Sequence, residues 1–228
     1  MEGHAAHHLG RVLRAEAGQL YELSDGNRVW LARVEEVKRD RVGFSLVGEV
    51  PVLQPALQTT LLLSIVKFDA FEFALEKATE LGVNAIAPLA AERSEKALLA
   101  AARKRDERWK KILLEASQQS RRLRIPALAA LRKPEAGFSA YGEGLKILLS
   151  ERPEVPPLRN ILEARGGQNP AAVALAIGPE GGWTDVEFES ARQHGFFEAS
   201  LGRLILRTET AVIAALASLN YALSRQES

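Results

Sequence analysis

The chain has 228 residues, of which 46% are hydrophobic, so it can bury a core and is not expected to be disordered over most of its length. The chain has 30 lysine and arginine residues and 29 acidic ones, so its net charge is only +1. Any binding of nucleic acid must therefore rely on local positive charge. The lack of cysteine excludes disulfides, thiolate metal sites and cysteine nucleophiles.

The N-terminus and the histidines argue against several other classes. Met1 to Arg14 lacks the basic-then-apolar layout of a signal peptide, and no apolar stretch approaches the ~20 residues that cross a bilayer. We therefore expect a soluble, cytoplasmic protein with no membrane partner. His4, His7 and His8 lie at the terminus and His194 precedes a glycine that ends a predicted helix, so no metal site is expected.

The first fifty residues carry the pattern of a small β-rich domain. Residues 21–31 alternate loosely around Asp25-Gly26-Asn27, which predicts a hairpin, and Val42–Val47 predicts another short strand. Short strands with tight turns are typical of a small barrel or sandwich. The proline-flanked segment 51–55 predicts a domain boundary, which divides the chain into residues 1–54 and 55–228.

The second part alternates between strand and helix patterns, which predicts an α/β domain with a mainly parallel sheet. Apolar runs predict buried strands, and helical spacing of apolar residues predicts the helices between them. The predicted strands are Thr59–Val66, Val83–Leu89, Leu145–Leu149 and Val173–Ile177. The predicted helices are one through Phe71 and Leu81 ending at Gly82, a long helical region over Ser94–Gln119 that is either continuous or broken, Asp185–His194 closed by Gly195, and Thr210–Ser224.

A strand that runs into a glycine-rich loop is the most informative segment of the chain. Residues 176–184 spell AIGPEGGWT, and ligands of open α/β sheets lie beyond the carboxyl ends of strands. Gly178, Gly181 and Gly182 permit positive φ and close approach to a ligand, although a simple tight turn explains them equally well. Thr184 with Glu187 predicts a capping box. The glycine spacing fits neither a dinucleotide fingerprint nor a phosphate loop.

A second segment, residues 201–211, spells LGRLILRTETA just before the last predicted helix. Thr208 and Thr210 are candidate caps for that helix. The structural interpretation is an ion pair between Arg207 and Glu209. The functional interpretation places this loop beside the Gly178 loop, with both enclosing one ligand.

These two segments, in this order, closely resemble the RsmE-like family of ribosomal RNA uridine N3-methyltransferases, which belongs to the SPOUT class. The resemblance extends over nearly the whole chain. It includes residues 8–14 (HLGRVLR), residues 77–83 (KATELGV), and Glu115-Ala116 followed by Gln119, Arg122 and Pro126. Arg121 stands where the family usually has a small residue.

The resemblance implies a fold, a cofactor and partners. It implies a PUA-like β-barrel that binds RNA over residues 1–54 and a SPOUT methyltransferase domain with a trefoil knot over residues 55–228. It further implies a homodimer acting on 16S rRNA within the small ribosomal subunit. The S-adenosylmethionine site would be formed by Leu149, Ser150, Ile177, Gly178, Pro179, Glu180, Gly181, Gly182, Leu201, Gly202, Leu204, Leu206, Arg207 and Thr208.

The implied reaction, methylation of uracil N3, suggests roles for three charged residues. The base must be unpaired or flipped out, because a Watson–Crick pair occupies N3. A cation near the uracil carbonyls would stabilise the N3 anion, and Arg207 is the candidate. Glu180 or Glu209 is the candidate proton acceptor. The alternative is that all three are structural or position the cofactor.

Local clusters of arginine are the candidate RNA contacts. Arg121, Arg122 and Arg124 have no acidic neighbour between Gln118 and Pro126, which suits phosphate binding. Arg11 and Arg14 are candidates in the small domain. The basic residues at 103–111 are interleaved with acids and are expected to form a solvated helix face.

Two other functions stay open at this point. One is a non-catalytic RNA-binding protein that keeps the fold, against which the intact Gly178 loop argues. The other is a SPOUT methyltransferase with another target, such as tRNA or a ribose 2′-hydroxyl. Binding of S-adenosylmethionine separates the first from an enzyme, and mapping of the methylated nucleotide separates the second.

Overall fold

The computed structural model describes residues 1–12, 14–51, 57–166 and 170–223, and the chain divides into two compact units, Met1–Gln54 and Pro55–Ser228. Of the predicted boundary segment 51–55, residues 52–55 lie outside the described residues. No helix in the described part is long and apolar enough to cross a bilayer.

The first unit is a three-stranded antiparallel sheet preceded by helical turns. Helix α1 (Gly3–His7) continues as one turn of π-helix (His8–Val12), and strands β1 (Leu20–Ser24), β2 (Val29–Val37) and β3 (Val42–Val50) pair in that order. The predicted hairpin is confirmed, because β1 and β2 pair up to Ser24 and Val29. Its turn is stabilised by Asp25, whose Oδ1 accepts from the N–H groups of Asn27 and Arg28, each at 2.8 Å. A small core of Ala6, Val34 and Val42 supports the sheet.

The second unit is built on a six-stranded sheet in which every pair of neighbours is parallel, as the alternation of strand and helix patterns predicts. The strands are β4 (Gln58–Ser64), β5 (Ala85–Leu89), β6 (Ala127–Leu128), β7 (Leu145–Leu149), β8 (Ala172–Ile177) and β9 (Phe197–Ala199). Their order is β6-β5-β4-β8-β7-β9, so the carboxyl ends of β8, β7 and β9 lie side by side.

Helices cover both faces of this sheet. They are α2 (Phe68–Glu80), α3 (Lys96–Ala102), α4 (Asp106–Gln119), α5 (Pro134–Ser139), α6 (Leu158–Gly166), α7 (Asp185–Gln193) and α8 (Thr208–Leu223). The helical region predicted over Ser94–Gln119 is broken by a 3-10 turn at Arg103–Arg105. The last helix begins before the predicted Thr210, and its predicted end, Ser224, lies outside the described residues.

Two apolar layers hold the unit together, one on each face of the sheet. Leu61 and Leu63 of β4 pack in a large cluster with residues of α2, α4, α6 and α8. Leu62, between them in sequence, belongs to a second cluster that includes Phe138 of α5 and Ala191 of α7. The alternation is that of a strand whose side chains point to opposite faces, and burial on both faces accounts for the unbroken apolar run.

Helices α2 and α4 end in the same hydrogen-bonded turn with different residues in its left-handed position. That position is Gly82 after α2, with φ +90°, and Arg121 after α4, with φ +55°. The bonds that define the two turns are Gly82 N–H to Thr79 O, Val83 N–H to Ala78 O, Arg121 N–H to Gln118 O and Arg122 N–H to Ser117 O. This Schellman arrangement favours glycine, so an arginine there is the exception.

Candidate functional site

The loops that follow β7, β8 and β9 meet at one edge of the sheet and enclose a cavity of about 600 Å³. Parallel strands end at the same edge, so loops that are distant in sequence come together there. The cavity is lined by residues 149–152, 177–183 and 201–208, together with Arg93, Asp185, Phe188 and Ala211. All fourteen residues predicted for the cofactor site belong to this lining.

The loop after β8 is a compact turn that leads directly into α7. Its turn is closed by the Gly182 N–H, which donates to Pro179 O at 2.8 Å, and Gly182 has φ +68°. Thr184 and Glu187 form the predicted capping box. Glu187 Oε2 accepts from the Thr184 N–H at 2.8 Å, while Thr184 Oγ1 accepts from the Glu187 N–H at 3.3 Å. These two hydrogen bonds fix the residue at which α7 begins.

Close packing, rather than positive φ, explains the glycines at 178 and 181. A Cβ on Gly178 would lie 3.1 Å from the Trp183 ring, and one on Gly181 would lie 3.1 Å from Arg93 Cβ. The buried Trp183 indole N–H donates to Leu149 O at 3.2 Å, which joins this loop to the end of β7. The backbone of the loop thus lies directly on neighbouring groups that define its shape.

Hydrogen bonds also connect the loop after β8 to the loop after β5. The Arg93 guanidinium donates through Nη1 to Gly181 O at 2.9 Å and to Trp183 O at 3.2 Å. The Glu92 N–H donates to Glu187 Oε1 at 2.9 Å, so the capping carboxylate also joins the two loops. Neither Arg93 nor Glu92 stands out in the sequence, since their partners are some ninety residues away.

The loop after β9 presents exposed side chains to the cavity. Leu204 and Ile205 are 82% and 78% exposed, and Arg203 and Arg207 are exposed as well. Within the described ranges, no salt bridge joins Arg207 to Glu209. Helix α8 begins here, with the Ala211 N–H donating to Arg207 O at 2.9 Å. Glu209 lies in its first turn and does not belong to the cavity lining.

Nine lining residues are not among those predicted for the cofactor site, although four of the nine lie in segments 176–184 and 201–211. They are Arg93, Glu151, Arg152, Trp183, Asp185, Phe188, Arg203, Ile205 and Ala211. Arg152 stacks on Phe188, with its guanidinium carbon 3.6 Å from the ring centroid, and pairs with Asp185. Four arginines against three acids line the cavity, so its local charge is weakly positive.

None of the five arginines predicted to bind RNA is among the described residues that line this cavity. Arg122 Nη1 donates to Thr79 O at 2.7 Å, and burial lowers the pKa of its guanidinium. Arg121 and Arg124 are exposed after α4. Arg11 and Arg14 are exposed in the first unit. Among the described residues, no group of three or more His, Asp or Glu side chains could hold a metal ion.

Known proteins resemble this chain in both sequence and structure. The family model described as an RNA methyltransferase domain matches residues 53–220, and that described as an RNA methyltransferase PUA domain matches residues 2–46. Ribosomal RNA small subunit methyltransferase E from a Synechocystis species is 37% identical over 221 residues, which cover 94% of this chain and 70% of that protein. The protein of that name from Aquifex aeolicus is 31% identical over 224 residues, covering 93% and 89% of the two chains.

Solved structures of proteins that bind S-adenosyl methionine are also similar to this chain. Ribosomal RNA small subunit methyltransferase E from Neisseria gonorrhoeae, bound to S-adenosyl methionine, superposes with a TM-score of 0.86 at 32% identity, covering 97% of this chain and 90% of that one. A protein from Legionella pneumophila in complex with the same cofactor gives a TM-score of 0.79 at 33% identity, with coverages of 97% and 90%.

Proposed function

The chain belongs to the RsmE family of ribosomal RNA methyltransferases, and from that premise we propose that it methylates N3 of a uridine in the decoding region of 16S rRNA, on the assembled small subunit. Its cofactor is S-adenosylmethionine. The observation that carries the proposal is the meeting of the loops at 177–182 and 201–208 around one cavity.

The cavity suits this cofactor in size and construction. Its volume of about 600 Å³ falls within the usual range for small-molecule sites. The glycine-rich loop brings backbone to the cavity wall, and Leu149, Ile177 and Leu206 add apolar surface. The cofactor supplies a methyl group that is already activated on a sulfonium sulfur, so the chain's own part is to hold donor and acceptor in line.

Arg207 and Glu180 are assigned the polar roles in the reaction. Arg207 lines the cavity and is exposed with no salt bridge in the described part of the chain, so its charge is available to stabilise the uracil N3 anion. Glu180 lines the same cavity and is assigned as the base that accepts the proton from N3. Glu209 lies outside the lining. The uracil must be unpaired or extruded to reach this site.

The wider assembly is also part of the proposal. Residues 1–54 serve as the RNA-binding domain and 55–228 as the methyltransferase domain, with Arg11, Arg14, Arg121, Arg122 and Arg124 contributing contacts to RNA. The second unit forms the family's trefoil knot and a homodimer in the bacterial cytoplasm. The exposed Leu204, Ile205 and Tyr221 offer apolar surface for a second subunit.

Two measurements test the function against its alternatives. Calorimetry with S-adenosylmethionine should show one site per chain, and absence of binding would favour a non-catalytic RNA-binding protein. Purified small subunits, naked 16S rRNA and tRNA are then incubated with labelled cofactor, and the modified nucleotide is mapped by mass spectrometry. We expect N3-methyluridine from small subunits, whereas a ribose methyl group or a product only in tRNA would refute the proposed target.

A further inference from the structure

The loop after β8, residues 178–183, is attached to the rest of the unit at two opposite points. On one side the Trp183 indole donates to Leu149 O at the end of β7. On the other side Arg93, in the loop after β5, donates to the carbonyl groups of Gly181 and Trp183. The loop thus depends on partners from two other strand ends for its shape.

Arg93 is well placed to control that shape. One guanidinium nitrogen contacts two carbonyl groups at 2.9 and 3.2 Å, and the missing side chain of Gly181 lets the two backbones approach. Within the described residues no carboxylate forms a salt bridge with Arg93. Its charge is therefore directed at the loop carbonyls, and hydrogen bonds from a charged donor are among the stronger ones.

We propose that Arg93 is a positioning residue that holds the Gly181 and Trp183 carbonyls and so preorganises the loop for the methyl donor. This inference rests on the proposed function, since it takes the cavity to be the cofactor site. Without Arg93 the loop would have to be ordered when the cofactor binds, and that cost would appear as lost affinity. Lys ends in a compact, strongly hydrated ammonium on a shorter side chain, so it should substitute for Arg93 only in part.

Arg93 also lines the cavity, so the test must separate an effect on the loop from direct contact with the cofactor. The two ligands to compare are S-adenosylmethionine and 5′-methylthioadenosine, which lacks the amino-acid portion with its carboxylate. If Arg93 acts through the loop, Arg93→Ala should weaken both ligands by the same factor. If it binds the carboxylate directly, only S-adenosylmethionine should lose affinity.

The experiment uses the full chain with Arg93→Ala, Arg93→Lys and the control Arg159→Ala. Arg159 is an exposed arginine that pairs with Glu163 on α6 and lies outside the cavity lining. We expect Arg93→Ala to raise both dissociation constants about tenfold, Arg93→Lys about threefold, and Arg159→Ala not at all. KM for the cofactor should rise in parallel, while kcat at saturating cofactor stays within about twofold of the unmodified chain.

Three results would overturn the inference. These are unchanged affinity in Arg93→Ala, a loss confined to S-adenosylmethionine, or a fall in kcat without a change in KM. If thermal melts show that Arg93→Ala does not fold, Arg93→Lys decides, and full affinity for both ligands in that folded variant would refute the positioning role. If the unmodified chain itself fails to bind S-adenosylmethionine, the proposed function falls instead.

Discussion

Two arginine-bearing segments of the second unit look equally functional in the sequence, yet the structure uses them differently. Arg203 and Arg207 follow β9, line the cavity and form no salt bridge in the described part of the chain. Arg121 and Arg122 follow α4, where Arg121 occupies the left-handed position of the helix end and Arg122 donates to Thr79 O. The comparison teaches that a run of positive charge shows where phosphate could bind, while only the fold shows which guanidinium groups are already engaged.

The largest effect should come from the cavity side of this comparison. Arg207→Ala should lower methylation at least about tenfold with the fold intact, because an exposed cation that stabilises developing negative charge is lost. The measurement is kcat on small subunits, with thermal melts to verify folding. Near-normal turnover would remove Arg207 from the mechanism.

Glu180 should give the next largest effect. Glu180→Gln should lower kcat by roughly tenfold near neutral pH, less than a buried base would, because water can reach this exposed position and accept the proton. The matched variant Glu209→Gln, outside the cavity lining, should keep most of the activity. If the effects of the two variants are reversed, the proton acceptor is misassigned.

The glycine-rich wall of the cavity could be predicted from the sequence, because an apolar strand runs into the Gly178 loop, whereas Leu149 and Ser150 were implied only by the resemblance to the RsmE-like family. Ile177 ends an apolar run, and ligands of open α/β sheets lie beyond the carboxyl ends of the strands. The capping box could be predicted for a similar reason, since Thr184 and Glu187 act within one helical turn. Local rules of this kind, and the alternation of strand and helix, are visible in a single chain.

Arg93 could not be predicted, because its role depends on an approach between segments 88 residues apart. The same holds for Arg122, whose acceptor Thr79 lies on another helix. The two-residue strand β6 and the three-residue β9 carry too few residues to show any periodicity. Contacts of this kind arise from tertiary packing, and composition alone does not indicate them.

On the other side of the comparison, Arg122 should matter more for stability than for chemistry. Arg122→Ala should lower the free energy of unfolding by about 1–2 kcal/mol, because Thr79 O loses a charged donor and the arginine stem loses its packing. Urea unfolding measures the change, and kcat per folded molecule should stay close to normal. A large loss of kcat at unchanged stability would instead place Arg122 among the functional residues.

The smallest expected effect comes from Arg121, and its sign is opposite. Arg121→Gly should stabilise the chain by up to ~1 kcal/mol, because glycine adopts the left-handed position without steric cost, although its greater freedom in the unfolded chain offsets part of the gain. The reverse change, Gly82→Arg, puts arginine at the equivalent position after α2, where a Cβ meets nothing within 4 Å. It should destabilise by a similar amount, since the added Cβ meets no neighbour and the cost is that of holding arginine at a positive φ. Arg121→Gly should also weaken binding to small subunits, with a shallower dependence on salt, because it removes a proposed RNA contact, and unchanged binding would remove Arg121 from that role.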